Sequence, residues 1–199
     1  MSSHHIVKDD QEPALIIDAP ISKLEHLKQL LEWSPTVISS FQALEWLLAE
    51  QVNIDILICN DTDLTAAMTK LQHQLPVKFL TFHSLEKGII TEAISFLTYA
   101  KYGAAHIIGN FQAELIAKTP LNIDIKWSDN LFQWALVKQG VYKKWYNQNQ
   151  KVTLLEQPSS ITGSYAFIHQ GQCSIETQSA GMIEIRDSKP FWVGEPIMD

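Results

Sequence analysis

The chain has 199 residues, 46% of them hydrophobic and 19% charged, a composition that supports one large or two small cores and excludes disordered and fibrous proteins. Its 15 basic and 22 acidic residues give a formal charge of −7, which disfavours general binding to nucleic acids or anionic membranes. The first glycine is Gly88 and the single arginine is Arg186, so the first 87 residues hold neither a dinucleotide fingerprint nor a glycine-rich P-loop.

Short apolar runs alternate with helical patterns over residues 1–120. The runs predict strands over 14–17, 36–38, 54–59, 77–82 and 106–108. Apolar residues at helical spacing predict helices over 21–33, 41–50, 64–74, 91–102 and 111–118. Because the strand residues are nearly all apolar, we predict an α/β fold with a mostly parallel sheet and helices on both of its faces.

Residues 121–199 lack the helical period and consist of short segments between turns such as Gln139-Gly140 and Thr162-Gly163. The segments predicted as strands are 123–127, 132–137, 151–155, 164–168, 172–177, 182–186 and 191–193. Seven of the eight glycines fall from position 103 onward, where hairpins need residues with positive φ. This part of the chain is therefore predicted to be a second, smaller domain, an antiparallel β-sandwich or barrel.

Two carboxylates follow the third predicted strand, at Asp61 and Asp63. Ligands of open parallel sheets bind where strands end, and Mg²⁺ is commonly held by one or two carboxylates together with phosphate oxygens. The same residues could instead cap the helix that starts at Leu64. Both interpretations, a metal site and a helix cap, are compatible with the pattern.

The second half is rich in aromatic residues interspersed with lysines. They could form a stacking surface for a base or ring, or they could fill the core of the second domain, which is the commoner use. The residues concerned are Trp127, Phe132, Trp134, Tyr142, Trp145 and Tyr146, with Lys138, Lys143 and Lys144.

Cysteine usage and hydropathy indicate the compartment. Cys59 and Cys173 are far apart and suggest neither a disulfide framework nor a CxxC metal site. No run reaches the roughly 18 apolar residues that span a bilayer, and the first residues contain no apolar core of a signal peptide. We therefore expect a cytoplasmic protein.

The order of these parts resembles the thiamine pyrophosphokinase family. Ile54-Asp55-Ile56-Leu57-Ile58-Cys59-Asn60-Asp61-Thr62-Asp63-Leu64 is similar to the family pattern PDxIIGDxDS, with both aspartates kept, Asn60 in place of the glycine and Leu64 in place of the serine. Gly88–Ile94 is similar to the family's DxTDxxKAL segment, of which Thr91 is kept. Residues 151–155, 162–165, 173–174 and 181–185 resemble the family's C-terminal domain.

The resemblance implies a homodimeric enzyme that transfers diphosphate from ATP to thiamine with Mg²⁺, giving thiamine diphosphate and AMP. By position, Asp61 and Asp63 would bind the metal and act in catalysis, and Asn60, Thr91 and Gly109 would contact the nucleotide. Tyr165 and Ser174 would be nearest to thiamine. The implied domains are a nucleotide-binding domain over 1–120 and a thiamine-binding domain over 121–199.

Two phosphate-handling motifs of the family are changed. The DGGAN turn is Ser39-Ser40-Phe41-Gln42-Ala43, and the GGRxDH segment is Gly109-Asn110-Phe111-Gln112-Ala113. Loss of glycine turns obstructs close approach of backbone to phosphate, and loss of each charged group should cost about 100-fold in rate. A second interpretation is therefore a catalytically degenerate relative that binds a ligand or a partner. A third is an unrelated α/β binding module that shares only the architecture.

Overall fold

The computed structural model describes residues 13–82, 88–118, 122–169 and 173–197. The chain divides into two compact units, Met1–Asn110 with Lys118–Ile125 and Phe111–Ala117 with Lys126–Asp199.

The first unit alternates strands and helices. Its strands are β1 (Ala14–Ile17), β2 (Val37–Ser40), β3 (Ile56–Asn60), β4 (Lys78–Phe82) and β5 (Ala104–Ile108). Its helices are α1 (Leu24–Leu31), α2 (Leu44–Ala49), α3 (Leu64–Leu71) and α4 (Ile89–Tyr99). The strands pair in parallel in the order β5-β1-β2-β3-β4, with Ile16 of β1 opposite Ile38 of β2 and Ile107 of β5.

Helices cover both faces of this sheet. Leu15, Leu57 and their neighbours on one face pack with α1, α2 and α3 in a single buried cluster. The side chains of Ile16 and Ile58 alternate to the other face, where α4 contacts β1, β3 and β5. The change of face follows from right-handed crossovers, because α4 connects strands in the opposite direction across the sheet.

The second unit is antiparallel. Its strands are β6 (Asp124–Ser128), β7 (Phe132–Val137), β8 (Val141–Tyr146), β9 (Lys151–Leu154), β10 (Ser160–Thr162), β11 (Tyr165–His169), β12 (Cys173–Thr177), β13 (Gly181–Arg186) and β14 (Phe191–Pro196). One sheet runs β11-β12-β9-β14-β7-β6, and a three-stranded sheet runs β10-β13-β8. Residues of both sheets, among them Val152, Ile175, Ile183 and Ile185, form one buried cluster.

Several of the aromatic residues of the second unit are buried core residues. Trp127, Trp134 and Trp192 are buried and surround the Phe111 ring, which stacks on Trp134 with ring centroids 4.4 Å apart. Trp145 is different, since 60% of its surface is exposed. The core interpretation therefore holds for Trp127 and Trp134, and Trp145 lies outside that core.

The predicted α/β class is confirmed at the level of a mixed protein with a parallel sheet, helices and antiparallel sheets. Within the described residues, every helix is too short or too polar to cross a bilayer.

Candidate functional site

The carboxyl ends of the parallel strands are the natural place for a ligand in the first unit. In the order β5-β1-β2-β3-β4 the chain moves outward from β1 in one direction and later adds β5 on its other side. The crevice between the ends of β1 and β5 is therefore the topological switch point, where open α/β sheets bind ligands.

Asp61 and Asp63 lie directly after β3, on a single turn of 3₁₀ helix that leads into α3. The buried residues Leu57 to Cys59 fix the strand, so the turn is presented at the edge of the sheet. Asp63 occupies the N-cap position of α3, but its side chain makes no capping hydrogen bond. The structure thus gives no support to the interpretation of Asp63 as a cap.

The two carboxylates influence the thiol before them. Burial raises the pKa of Cys59, and the negative charges of Asp63 and Asp61 raise it further. Cys59 is 1% exposed. It is therefore a protonated core thiol.

Asp18 is an acid at this edge that the sequence patterns did not single out. It follows β1, and its N–H donates to the carbonyl of Ile108 at 2.9 Å, which places it between β1 and β5. Ser40 Oγ donates to the Asp18 carbonyl at 2.8 Å and accepts the N–H of Ala43 at 3.1 Å. Burial raises the pKa of the Asp18 carboxyl, and a hydrogen bond with Ser40 lowers it in part. The sequence pattern that could have identified Asp18 is an acidic residue directly after an apolar strand.

The predicted nucleotide contacts are on the same side of the first unit. Asn60 ends β3 and precedes the two aspartates. Gly109 follows β5, where a Cβ would lie 3.3 Å from the Ala19 nitrogen, so only glycine allows this approach without adjustment. Thr91 is in the first turn of α4, which runs antiparallel to the strands and so begins at their carboxyl side. With two strands between β3 and β5, the ends of these strands are about 14 Å apart.

The predicted thiamine contacts are in the second unit and face opposite sides of one sheet. Tyr165 of β11 pairs with Thr177 and packs against the buried cluster. Ser174 of β12 alternates to the other face, where its hydroxyl is 3.2 Å from that of Thr153. The strand register therefore does not bring Tyr165 and Ser174 to a common surface.

The carboxylate oxygens of Asp61 and Asp63 suit a Mg²⁺ ion that takes its other ligands from water and substrate. Among the described residues, no group of three or more His, Cys, Asp or Glu side chains is arranged to hold a metal. Two adjacent carboxylates on an accessible turn match the sites in which Mg²⁺ keeps waters and takes its remaining ligands from phosphate. Asp61 and Asp63 thus fit an ion that arrives with a phosphorylated substrate.

A cavity of 780 Å³ lies at the opposite, amino edge of the first unit, lined in part by Thr36, Asp55, Lys78 and Tyr102. There the Val37 N–H donates a hydrogen bond to Asp55 Oδ2 at 2.8 Å, and the Thr36 and Tyr102 hydroxyls are 2.9 Å apart. None of the predicted site residues lines this cavity.

Comparisons with known proteins connect this geometry to a fold. No family model and no curated protein matches the sequence.

Solved structures with a similar fold were found. A Lactobacillus plantarum protein is 10% identical with a TM-score of 0.66, and the match covers 94% of this chain and 100% of that protein. The chain has the fold of thiamine pyrophosphokinases. The enzyme from Bacillus subtilis is 14% identical (TM-score 0.63), over 93% of this chain and 100% of the enzyme. The enzyme from Geobacillus thermodenitrificans is 16% identical with a TM-score of 0.64, and the match covers 93% of this chain and 98% of that enzyme.

Proposed function

We propose that the chain is a divergent thiamine pyrophosphokinase, a cytoplasmic homodimer that transfers diphosphate from ATP to thiamine with release of AMP. The observation that carries the proposal is the pair Asp61 and Asp63 on an accessible turn at the carboxyl edge of β3. The likeness of both units to thiamine pyrophosphokinase structures supports the substrate class.

In this proposal the aspartates position the nucleotide through Mg²⁺. A bound Mg²⁺ neutralises charge that develops on the phosphate oxygens during transfer. Asn60 would contact the nucleotide at the end of β3. Gly109, at the end of β5, is buried against Ala19, and the Thr91 hydroxyl at the start of α4 is buried without a hydrogen-bond partner among the described residues. Ser174 would contribute to the thiamine side.

A second candidate function is that of a degenerate relative that binds a ligand without turnover. It is favoured by Ser39 and Ser40, which replace the glycine turn and are fully buried, with Ser39 Oγ donating to the Ser40 carbonyl. It is also favoured by Asp18, because a carboxylate at the switch point opposes a phosphate there. The first unit contains no arginine to offset that charge.

The test is product formation from ATP, Mg²⁺ and thiamine, followed as thiamine diphosphate and AMP. We expect turnover by the wild type and a loss of about 100-fold or more in Asp61→Asn and Asp63→Asn, because each removes charge at the transferring group. Glu50→Gln is the matched control, since Glu50 is an exposed acid beyond the end of α2 and lines the cavity at the opposite edge.

Two results would decide against catalysis. One is the absence of product at high protein concentration, and the other is a residual rate that Asp61→Asn leaves unchanged. Thermal shifts with thiamine or Mg²⁺-ATP then separate the candidates, because a ligand that binds only the native state raises its stability. A shift without turnover supports the degenerate relative.

A further inference from the structure

The amino-edge cavity is the 780 Å³ cavity at the amino ends of β2, β3 and β4. Sites for small molecules are usually cavities of about 300–1,000 Å³. Asp61 and Asp63 follow the carboxyl end of β3, which is the other end of the same strand. A ligand in this cavity would therefore be separate from the nucleotide of the proposed function.

Much of the lining of the amino-edge cavity is apolar. Leu24, Leu27 and Leu31 line it at helical spacing along α1, and Leu27 is fully buried. Val37 and Ile56, at the starts of β2 and β3, also line the cavity and are buried. This lining suits the hydrocarbon part of a ligand, because apolar surface gains free energy when it leaves water.

Hydrogen-bond acceptors of the cavity meet at the start of β2. The Val37 N–H donates to Asp55 Oδ2 at 2.8 Å, which leaves the other carboxylate oxygen, Oδ1, without a partner among the described residues. The hydroxyls of Thr36 and Tyr102 are 2.9 Å apart. One of these hydroxyls donates to the other, and both oxygens keep lone pairs for a further donor. Because Thr36 and Val37 are consecutive, the carboxylate and the hydroxyl pair are held at neighbouring residues.

The two lysines of the lining are engaged with residues outside it. Lys28 Nζ is 3.0 Å from Glu25 Oε1, and Lys78 Nζ is 4.6 Å from the centre of the Phe96 ring. Neither Glu25 nor Phe96 lines the cavity. Helix α1 ends at the cavity, and the partial negative charge of a helix C-terminus favours a cation. The negative charge of Asp55 is therefore available to a ligand.

We propose that the amino-edge cavity binds a small molecule that carries a protonated primary amine on an apolar body. An ammonium group has three N–H donors and no acceptor, which matches Oδ1 of Asp55 and the hydroxyl oxygens of Thr36 and Tyr102. Hydrogen bonds from an ammonium to a carboxylate are about twice as strong as neutral ones. The apolar lining then holds the rest of the ligand. This inference goes beyond the proposed function and does not depend on it.

Three probes with the same hydrocarbon chain test the chemistry: hexylamine, hexan-1-ol and hexyltrimethylammonium. Hexan-1-ol has no charge, and hexyltrimethylammonium has the charge without N–H donors. We expect hexylamine to bind at neutral pH with a dissociation constant on the order of 1 mM, which is ordinary for a ligand of its size. The other two probes should bind at least about 10-fold more weakly, because neither combines a positive charge with N–H donors.

The measurement is an NMR titration of the full chain, in which amide chemical shifts report both affinity and location. We expect the largest shifts at Thr36, Val37 and Asp55. Asp55→Asn keeps an acceptor for the Val37 N–H and removes the charge, so it should weaken hexylamine binding at least about 10-fold. Tyr102→Phe is a second variant that removes one hydroxyl and should weaken binding about 3-fold. Circular dichroism verifies that each variant is folded.

Asp61→Asn is the matched control, because it makes the same change of charge at the other end of β3 and should leave hexylamine binding unchanged. Absence of hexylamine binding, equal binding of hexyltrimethylammonium or hexan-1-ol, or unchanged affinity in both Asp55→Asn and Tyr102→Phe would each overturn the proposal. Shifts centred away from the cavity would do so too. The proposed function fails separately, because its test is turnover and its variants are at Asp61 and Asp63.

Discussion

Asp18 is the residue at which the fold and the proposed chemistry conflict most. Its backbone joins β1 to β5 and its carbonyl accepts Ser40 Oγ, so its position is fixed by the sheet. Its carboxyl is partly buried, and that burial raises its pKa above the ordinary 3.8. Groups that cost stability in this way are often retained at functional sites.

Asp18→Asn is expected to stabilise the protein at neutral pH. A raised pKa in the folded state means that the native protein holds the proton more tightly than the unfolded chain, so stability falls as pH rises through the folded pKa. The variant removes that cost at pH 7 and should equal the wild type in stability below about pH 4. Urea unfolding at both pH values measures the difference.

A variant less stable than the wild type at pH 7 would contradict this account of Asp18. It would mean that the carboxylate receives hydrogen bonds worth more than its burial costs. Asp124→Asn, at an exposed acid, is a control for the loss of one negative charge.

At the scale of elements, the close approach of β14 to β7 depends on Gly194. A Cβ at this position would lie 2.6–2.9 Å from three atoms of the Trp134 ring, which is itself stacked on Phe111. Because the ring is buried and stacked on Phe111, it has little freedom to move.

We expect Gly194→Ala to lower the free energy of unfolding by about 2–3 kcal/mol, a typical cost of overpacking. Gly103→Ala is the control, because a Cβ there meets nothing within 4 Å, and it should change stability by less than about 0.5 kcal/mol. If the two variants were equally stable in urea, the Trp134 ring would have to move to make room for the added methyl group.

The elements that the sequence predicted are those with strong apolar patterns. Ala14–Ile17 and Phe132–Val137 form strands with the predicted bounds, because their apolar side chains are buried in the core on the faces of their sheets. β8 was missed because its outward residues are exposed and charged or aromatic, so its pattern is that of a loop. Its pairing with β13, some 40 residues later in the chain, makes it a strand. The segment predicted as a helix over 111–118 is a 3₁₀ helix, Ala113–Lys118.

In the candidate site too, residues placed by consecutive segments could be predicted, and residues placed by distant strands could not. Asp61 and Asp63 could be found because strand, turn and helix are consecutive in the chain. Asp18 could not be assigned to the site from the sequence, because its importance comes from β5, which joins β1 about 90 residues later. The opposite faces of Tyr165 and Ser174 likewise follow only from the register of β11 and β12.

At the scale of the whole molecule, the fold is shared with thiamine pyrophosphokinases, whereas the transfer of phosphate groups belongs to the proposed function. The fold matches thiamine pyrophosphokinases over more than nine-tenths of the chain at 9–16% identity. The single arginine, Arg186, is in the second unit and contacts Glu184. In the proposed function, positive charge for a nucleotide in the first unit would therefore come from lysine, from backbone N–H groups or from a metal ion. The two aspartates after β3 are therefore the centre of the proposed nucleotide site.

Isothermal titration of a non-hydrolysable ATP analogue tests that centre most directly, with and without Mg²⁺, in the wild type and in Asp61→Asn. We predict binding that requires Mg²⁺ and is weakened at least about 10-fold by the substitution, because half of the metal's protein ligands change. Binding that is equally strong without Mg²⁺, or unchanged in Asp61→Asn, would contradict the account, and so would the absence of binding to the wild type.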